Sequence, residues 1–321
     1  MSTSPTNSAS VAMTRQRAGR LAARSAQRRL DRENRRRANH VEHRSFGVNR
    51  RPGWPTYAIL TAVVLISAYP LYFAFQLASS TAADIARNPI PPLFLQGHLV
   101  ENIRRVLDSD IDFFAAFMNS VIVSTVVSLS VVFFSTLAGY SFSKLRFRGR
   151  DGLLTFVIAT MAVPAQLGVV PLFIVMARLN WTGELVAVIV PGMVSAFGVF
   201  WMTQYIRDAL PTELIEAARV DGATMFRTFW SVALPAARPA AAMLALFTFV
   251  GSWTNFFWPF IVLGAKNPTL PVALQLLQAS YFKDYSLIMA GVVVATVPLL
   301  ALFVLAGRHL VSGIMQGAVK G

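Results

Sequence analysis

Six runs without a single Asp, Glu, Lys or Arg constrain this chain more than anything else in it, at 55–77, 113–143, 152–177, 185–206, 239–263 and 285–307. About 20 apolar residues in helical form cross a ~30 Å hydrocarbon layer, and within that layer each backbone N–H and C=O must be satisfied inside the protein. Helices meet that demand, so the expected fold class is an all-α membrane protein with six transmembrane helices. The internal prolines Pro164, Pro171, Pro191, Pro259 and Pro298 are compatible with it where neighbouring helices or cavity water satisfy the freed carbonyls.

Several chemistries are excluded by what the chain lacks. It has no cysteine, hence no disulfide, thiol nucleophile or cysteine-held metal, and its four histidines form no His-Glu-x-x-His pair, so neither a metal site nor a catalytic residue is expected. His98 and His309 lie at the edges of apolar runs and complete no hydrolase constellation. No Gly-x-x-x-x-Gly-Lys-Ser/Thr phosphate loop occurs, so the chain should bind no cofactor of its own. The apolar runs also lack the carboxylates that an ion-driven secondary transporter places at mid-membrane.

The net charge of +14 is concentrated at one end, because residues 1–52 hold 13 arginines against Asp31, Glu33 and Glu42. Three regions are expected: an Arg-rich tail at 1–53, disordered or lying on the membrane surface; a six-span domain at 54–309; and a short C-terminal tail at 310–321. The N-terminal region has no apolar segment of the signal-peptide kind. Anionic headgroups would attract it, whereas nucleic acid is not an expected partner, since the tail has almost no aromatic residues. Lys144, Arg146, Arg148 and Arg150 occupy one short loop and Arg207, Arg219, Arg227 and Arg238 another, while 78–112 carries five acids against Arg87, Arg104 and Arg105. Positive residues stay on the cytoplasmic side, which places both termini and the 207–238 loop in the cytoplasm of a multi-pass inner-membrane protein.

That loop is a polar island. Thr212 is positioned to cap a short helix whose first turn holds Glu213 and Glu216. Ala217 and Ala218 leave room for a close approach, and Gly222 tolerates the left-handed backbone of a sharp turn. A second amphipathic segment at 223–234, with Met225, Phe226, Phe229 and Trp230 on its apolar side, is expected to end at Pro235 and Pro239. The result would be an elbow along the membrane face between spans four and five.

Glu216-Ala217-Ala218, three residues, Gly222, nine residues, then Val232, Ala233 and Leu234-Pro235 resembles the coupling motif of ATP-binding-cassette importer permeases. With Leu210-Pro211, Arg219-Val220-Asp221-Gly222-Ala223 and the final Gly317-Ala318-Val319-Lys320-Gly321, the chain is similar to carbohydrate-uptake permeases of the maltose-transporter type, specifically the shorter, six-span partner of the pair. The resemblance covers about 55–321. It implies a paired permease as a heterodimer, two ATPase subunits that use ATP and magnesium, and an extracytoplasmic solute-binding protein. Glu216, Ala217, Ala218, Asp221, Gly222, Leu234 and Pro235 would form the ATPase-coupling joint, and Gly317, Ala318, Val319, Lys320 and Gly321 would reach the ATPase interface.

Polar groups inside apolar spans are candidates for a solute path, here Asn119, Gln166, Gln204, Trp253 and Asn255. Each can equally serve as a helix-to-helix hydrogen bond. The stretch 251–259 mixes Trp253, Phe256, Phe257 and Trp258 with Asn255, a combination suited to sugars through ring stacking and hydrogen bonds. The family often carries Asn and an acid after the Trp, where this chain has Thr254 and Asn255. Importers of glycerol phosphate or peptides share the coupling motif and form the alternative reading.

Overall fold

The computed structural model describes residues 53–88, 90, 93–281 and 284–318, with side chains as far as 305. The expectations for residues 1–52 and for Val319, Lys320 and Gly321 fall outside the described residues. The described chain is helical and contains no strand.

Two compact units divide it, residues 1–67 and 68–321. The first contributes the N-terminal part of α1 (Trp54–Ala78), where Ile59, Val63 and Ile66 are exposed.

Everything else belongs to the second unit. Short helices α2 (Ala82–Arg87) and α3 (Leu99–Leu107) follow α1, and the Asn102 amide ties α3 down by donating to the carbonyls of Ala78 and Ser80, both at 2.9 Å. The 32-residue α4 (Phe113–Lys144) is capped by Asp112, whose carboxylate accepts from the Ala115 N–H at 2.8 Å. Then come α5 (Arg150–Thr160), a 3₁₀ turn (Ala165–Gly168), α6 (Val169–Arg178), α7 (Val186–Gly192) and α8 (Ala196–Ala209). Next are α9 (Thr212–Val220), α10 (Met225–Thr228), a π-helical turn (Phe229–Ala233) and α11 (Leu234–Trp253). The chain closes with α12 (Phe257–Leu263), α13 (Leu270–Ser280) and α14 (Tyr285–Ala318).

Five stretches are long and apolar enough to span a membrane: Trp54–Ala78, Phe113–Lys144, Val186–Ala209, Met225–Trp253 and Tyr285–Leu305. Arg150–Thr160 and Ala165–Arg178, bent by 90° against each other, reach that length and apolarity only when taken together. The run expected at 152–177 is thus a bent helix pair rather than one continuous helix. Pro164 supplies no N–H and disfavours helix at Val163, whereas Pro171 falls in the first turn of α6, where no N–H is needed. The expected run at 239–263 is split as well. Its helix starts at Met225, stops at Trp253, and resumes as α12, with Pro259 in the new first turn.

α4 is the central helix, and α8 and α11 pack along it. One core gathers Val123, Val131, Met202, Ile206, Phe229 and Leu244 between these helices. A second joins Phe113, Trp253, Leu277 and Leu287, tying α4 and α11 to α13 and α14.

Near the second core, Asp284 precedes α14, accepts from the Leu287 N–H at 3.1 Å and meets the Arg105 guanidinium of α3 at 2.6 Å. Burial pushes its carboxyl pKa up, but the hydrogen bonds from Ser286, Arg105 and Leu287 and the charge of Arg105 outweigh this and leave it below the ordinary value. A carboxyl depressed by folding stabilises above its unfolded pKa and loses that contribution as pH falls through the folded value. Thermal unfolding of the purified protein from pH 7 to pH 3 should therefore show destabilisation below the unfolded carboxyl value of 3.8 that is smaller in Asp284→Asn. Equal acid sensitivity in both proteins would show that the Arg105 pair contributes nothing.

Candidate functional site

The elbow is built by two helix ends meeting within four residues. α9 starts after Pro211, whose φ of −58° and ψ of 141° put it at the N-cap position with no side-chain cap. The expected capping by Thr212 is therefore corrected: proline's extended backbone already sets the start, and Thr212 becomes the first helical residue. At the other end Gly222 has φ +79°. The Ala223 N–H donates to the Ala218 carbonyl at 2.9 Å and the Gly222 N–H to the Arg219 carbonyl at 3.0 Å, so the last carbonyls of α9 are satisfied by the turn itself. Thr224 then caps α10, accepting from the Arg227 N–H at 3.3 Å.

The four-residue spacing from Ala218 to Gly222 has a physical meaning here, because the glycine occupies the one left-handed position that closes the helix. Ile215 is α9's only buried side chain, 3% exposed, and joins the first core. Glu216, Ala217, Asp221 and Gly222 are exposed and Ala218 is half-buried. Leu214 and Val220 are also turned outward, the latter 88% exposed. Among the described residues Glu213, Glu216 and Asp221 enter no ion pair. This is a small carboxylate-bearing surface with apolar residues in it, anchored from beneath by one isoleucine.

The second arm departs from expectation, since Pro235 and Pro239 do not end it. The Leu234 N–H donates to the Phe229 carbonyl five residues back, opening a π turn, and the helix runs on into α11 with Pro235 in its first turn. Leu234 and Pro235 are half-buried at this junction. Phe229 is buried, while Met225 and Phe226 remain exposed.

A cavity of about 450 Å³ lies where α4, the α7–α8 break and α11 meet. Val127 and Val131 form one wall; Ser195, Thr248, Ser252 and Asn255 bring polar groups; Phe197, Phe247 and Trp258 bring rings. Trp258 is held by donation from its indole N–H to the Ala187 carbonyl at 3.0 Å. Among the described residues no ionisable side chain lines this cavity.

Of the proposed path residues, only Asn255 reaches it. Trp253 is 3% exposed, stacked on Phe249 and met edge-on by Phe117, with its N–H spent on the Ala295 carbonyl, so it is a core residue. Asn119 donates to the Pro268 carbonyl at 3.0 Å and holds a loop. Gln166 is exposed in the bent span, and Gln204 is half-buried on α8; neither lines the cavity. Thr248 and Ser252 were missed, although their spacing of four already puts them on one helix face with Asn255 just beyond.

Membrane-length helices interrupted by an exposed elbow define a polytopic membrane protein. The chain belongs to the family described as binding-protein-dependent transport system inner membrane component, whose model matches residues 131–312. It is therefore a multi-pass membrane component of a transport complex with other subunits, not an enzyme by itself. It is 31% identical over 261 residues to the arabinooligosaccharides transport system permease protein AraQ of Halalkalibacterium halodurans, covering 81% of this chain and 93% of that one. It is 30% identical to the lactose transport system permease protein LacG of Rhizobium radiobacter, over 84% and 97%. A crystal structure of a bacterial ABC transporter involved in the import of the acidic polysaccharide alginate contains a chain that superposes with TM-score 0.68 at 22% identity, covering 80% of this chain and 99% of that one.

Proposed function

We propose that this chain is the permease subunit of an ATP-binding-cassette importer for a sugar or oligosaccharide delivered by an extracytoplasmic binding protein. It pairs with a second permease, and two ATPase subunits hydrolyse ATP with magnesium. The observation that carries the reading is the elbow, a rigidly closed turn whose exposed face presents Glu216, Ala217 and Val220. A carboxylate there can accept charge-assisted hydrogen bonds from a partner, and the alanine admits its backbone closely.

In this reading the elbow and both termini face the cytoplasm, consistent with the arginines of 144–150 and 207–238. α14 extends in helical form to Ala318, beyond the span end anticipated at 307, which is compatible with Gly317 and Ala318 serving as an ATPase contact. The cavity supports a neutral solute over glycerol phosphate or a peptide, because rings, hydroxyls and one amide line it with no charge to pair against an ionic cargo. The two permease relatives, named for arabinooligosaccharides and lactose, support the same class.

The test is ATP hydrolysis by the reconstituted complex, titrated with binding protein loaded with oligosaccharides or with glycerol 3-phosphate. Stimulation by loaded sugar alone is the expected result. Uptake driven by an ion gradient with no ATPase subunit present would overturn the assignment.

A further inference from the structure

Between the elbow and the cavity wall lies a group of packed aromatic rings centred on one buried side chain, Phe229. Phe229 is 1% exposed and packs between Phe133 and Tyr140 of α4, with centroids 6.5 Å and 5.9 Å away. Phe226 and Trp230 complete the aromatic group, at 6.4 Å and 5.5 Å from Phe229. Phe133 lies two residues beyond Val131 and six beyond Val127, so the contact is roughly 9 Å along the helix from the farther of those two cavity-wall residues.

Phe229 also opens the π turn. Its carbonyl accepts from Leu234, and the next residue, Pro235, has no N–H to add a rung. A widened turn followed by a missing rung bends more readily than α-helix. Thr228 and Ser231 instead spend their hydroxyls on the carbonyls of Thr224, at 3.0 Å, and Arg227, at 2.7 Å, which keeps α10 and the turn together. The elbow side is therefore cohesive, the helix above it is compliant, and at the boundary the buried Phe229 grips α4 between Phe133 and Tyr140, with the half-exposed Trp230 also against Phe133 at 6.2 Å.

We propose that Phe229 is a positioning residue for transport: it transfers displacement of the elbow to α4, and through α4 to the Val127–Val131 cavity wall, while the π turn lets the elbow move without dragging α11. This rests on the proposed reading of the elbow as an ATPase dock. It gives Leu234-Pro235 a different task from Glu216–Gly222, namely hinging rather than docking.

The test uses the full reconstituted complex with loaded binding protein and reads three quantities: ATPase subunit retained, ATP hydrolysed and sugar taken up. Phe229→Ala should retain the ATPase subunit and hydrolyse ATP, with uptake per ATP falling roughly tenfold. Phe133→Ala should also lower uptake per ATP, and the double variant should lose less than the two single losses combined, because the Phe133–Phe229 contact is removed in both. Phe229→Leu, which fills most of the space, should restore most uptake per ATP and serves if the alanine variants accumulate poorly. Unchanged uptake per ATP in Phe229→Ala, additive losses in the double variant, or loss in step with the bound ATPase subunit would each overturn the proposal. A wild-type complex without ATP-driven uptake would instead refute the functional reading beneath it.

Discussion

Gly222→Val is expected to abolish most ATP-driven uptake while the membrane helices still fold and insert. With φ at +79°, the position asks an L-residue to adopt left-handed backbone, at a cost of about 1–2 kcal/mol and more for a β-branched side chain. A Cβ there would meet nothing within 4 Å, so the cost comes from the backbone and not from a collision. The way to relieve it is to open the turn, which breaks the bonds from Ala223 to Ala218 and from Gly222 to Arg219. α9, anchored by Ile215 alone, would then present Glu216 and Ala217 in the wrong direction. A penalty of that size lowers the docking-competent population roughly tenfold or more. Gly222→Asn should lose much less, since asparagine tolerates left-handed backbone. Uptake normalised to permease in the membrane is the measurement. Wild-type uptake by Gly222→Val would remove the turn from the mechanism.

The contrast between valine and asparagine at this position also shows which features were readable from the sequence. A glycine four residues after an alanine pair, at the end of a short polar helix, has few physical uses, and the left-handed turn follows from it. The charge-free runs likewise announced membrane-length helices, because the hydrocarbon layer imposes length and composition together. Proline was less informative. The same residue precedes a 3₁₀ turn at Pro164, sits in a helix interior at Pro191, and opens a compliant junction at Pro235. Which one occurs depends on whether the lost rung falls in a first turn or faces a widened one, and this is decided by packing far away in the chain. The solute-path candidates divide for a related reason. Trp253 and Asn255 are two residues apart and of similarly functional appearance, yet one is stacked in the core and the other opens on the cavity. Helix ends, here the stop at Trp253, separate them, and no periodicity within an all-apolar run marks that stop.

The largest structural effect is expected at Gly139, where α4 crosses α8. A Cβ placed there would lie 2.7 Å from the Met202 carbonyl carbon, 2.8 Å from its Cβ and 2.9 Å from the Thr203 nitrogen. Two of those three atoms are backbone, so no rotamer change can relieve the clash. Small residues at such crossings let helices approach closely where the hydrophobic effect gives no drive for association. Gly139→Ala would force the helices apart at a cost of about 1–3 kcal/mol, and Gly139→Leu more than that. Separation at this crossing would spread along α4 in both directions, loosening Tyr140 and Phe133 against Phe229 and shifting the wall at Val131. Gly139→Leu should therefore fail to accumulate as a monodisperse complex, and Gly139→Ala should unfold at lower temperature and transport poorly. Gly152→Ala is the control, because a Cβ there meets nothing within 4 Å and alanine favours helix by about 0.5–1 kcal/mol. The measurement is thermal unfolding of detergent-purified permease followed by size exclusion. If Gly139→Ala and Gly152→Ala unfold at the same temperature, the α4–α8 crossing is looser than its geometry requires, and α4 loses its place as the rigid link between elbow and cavity.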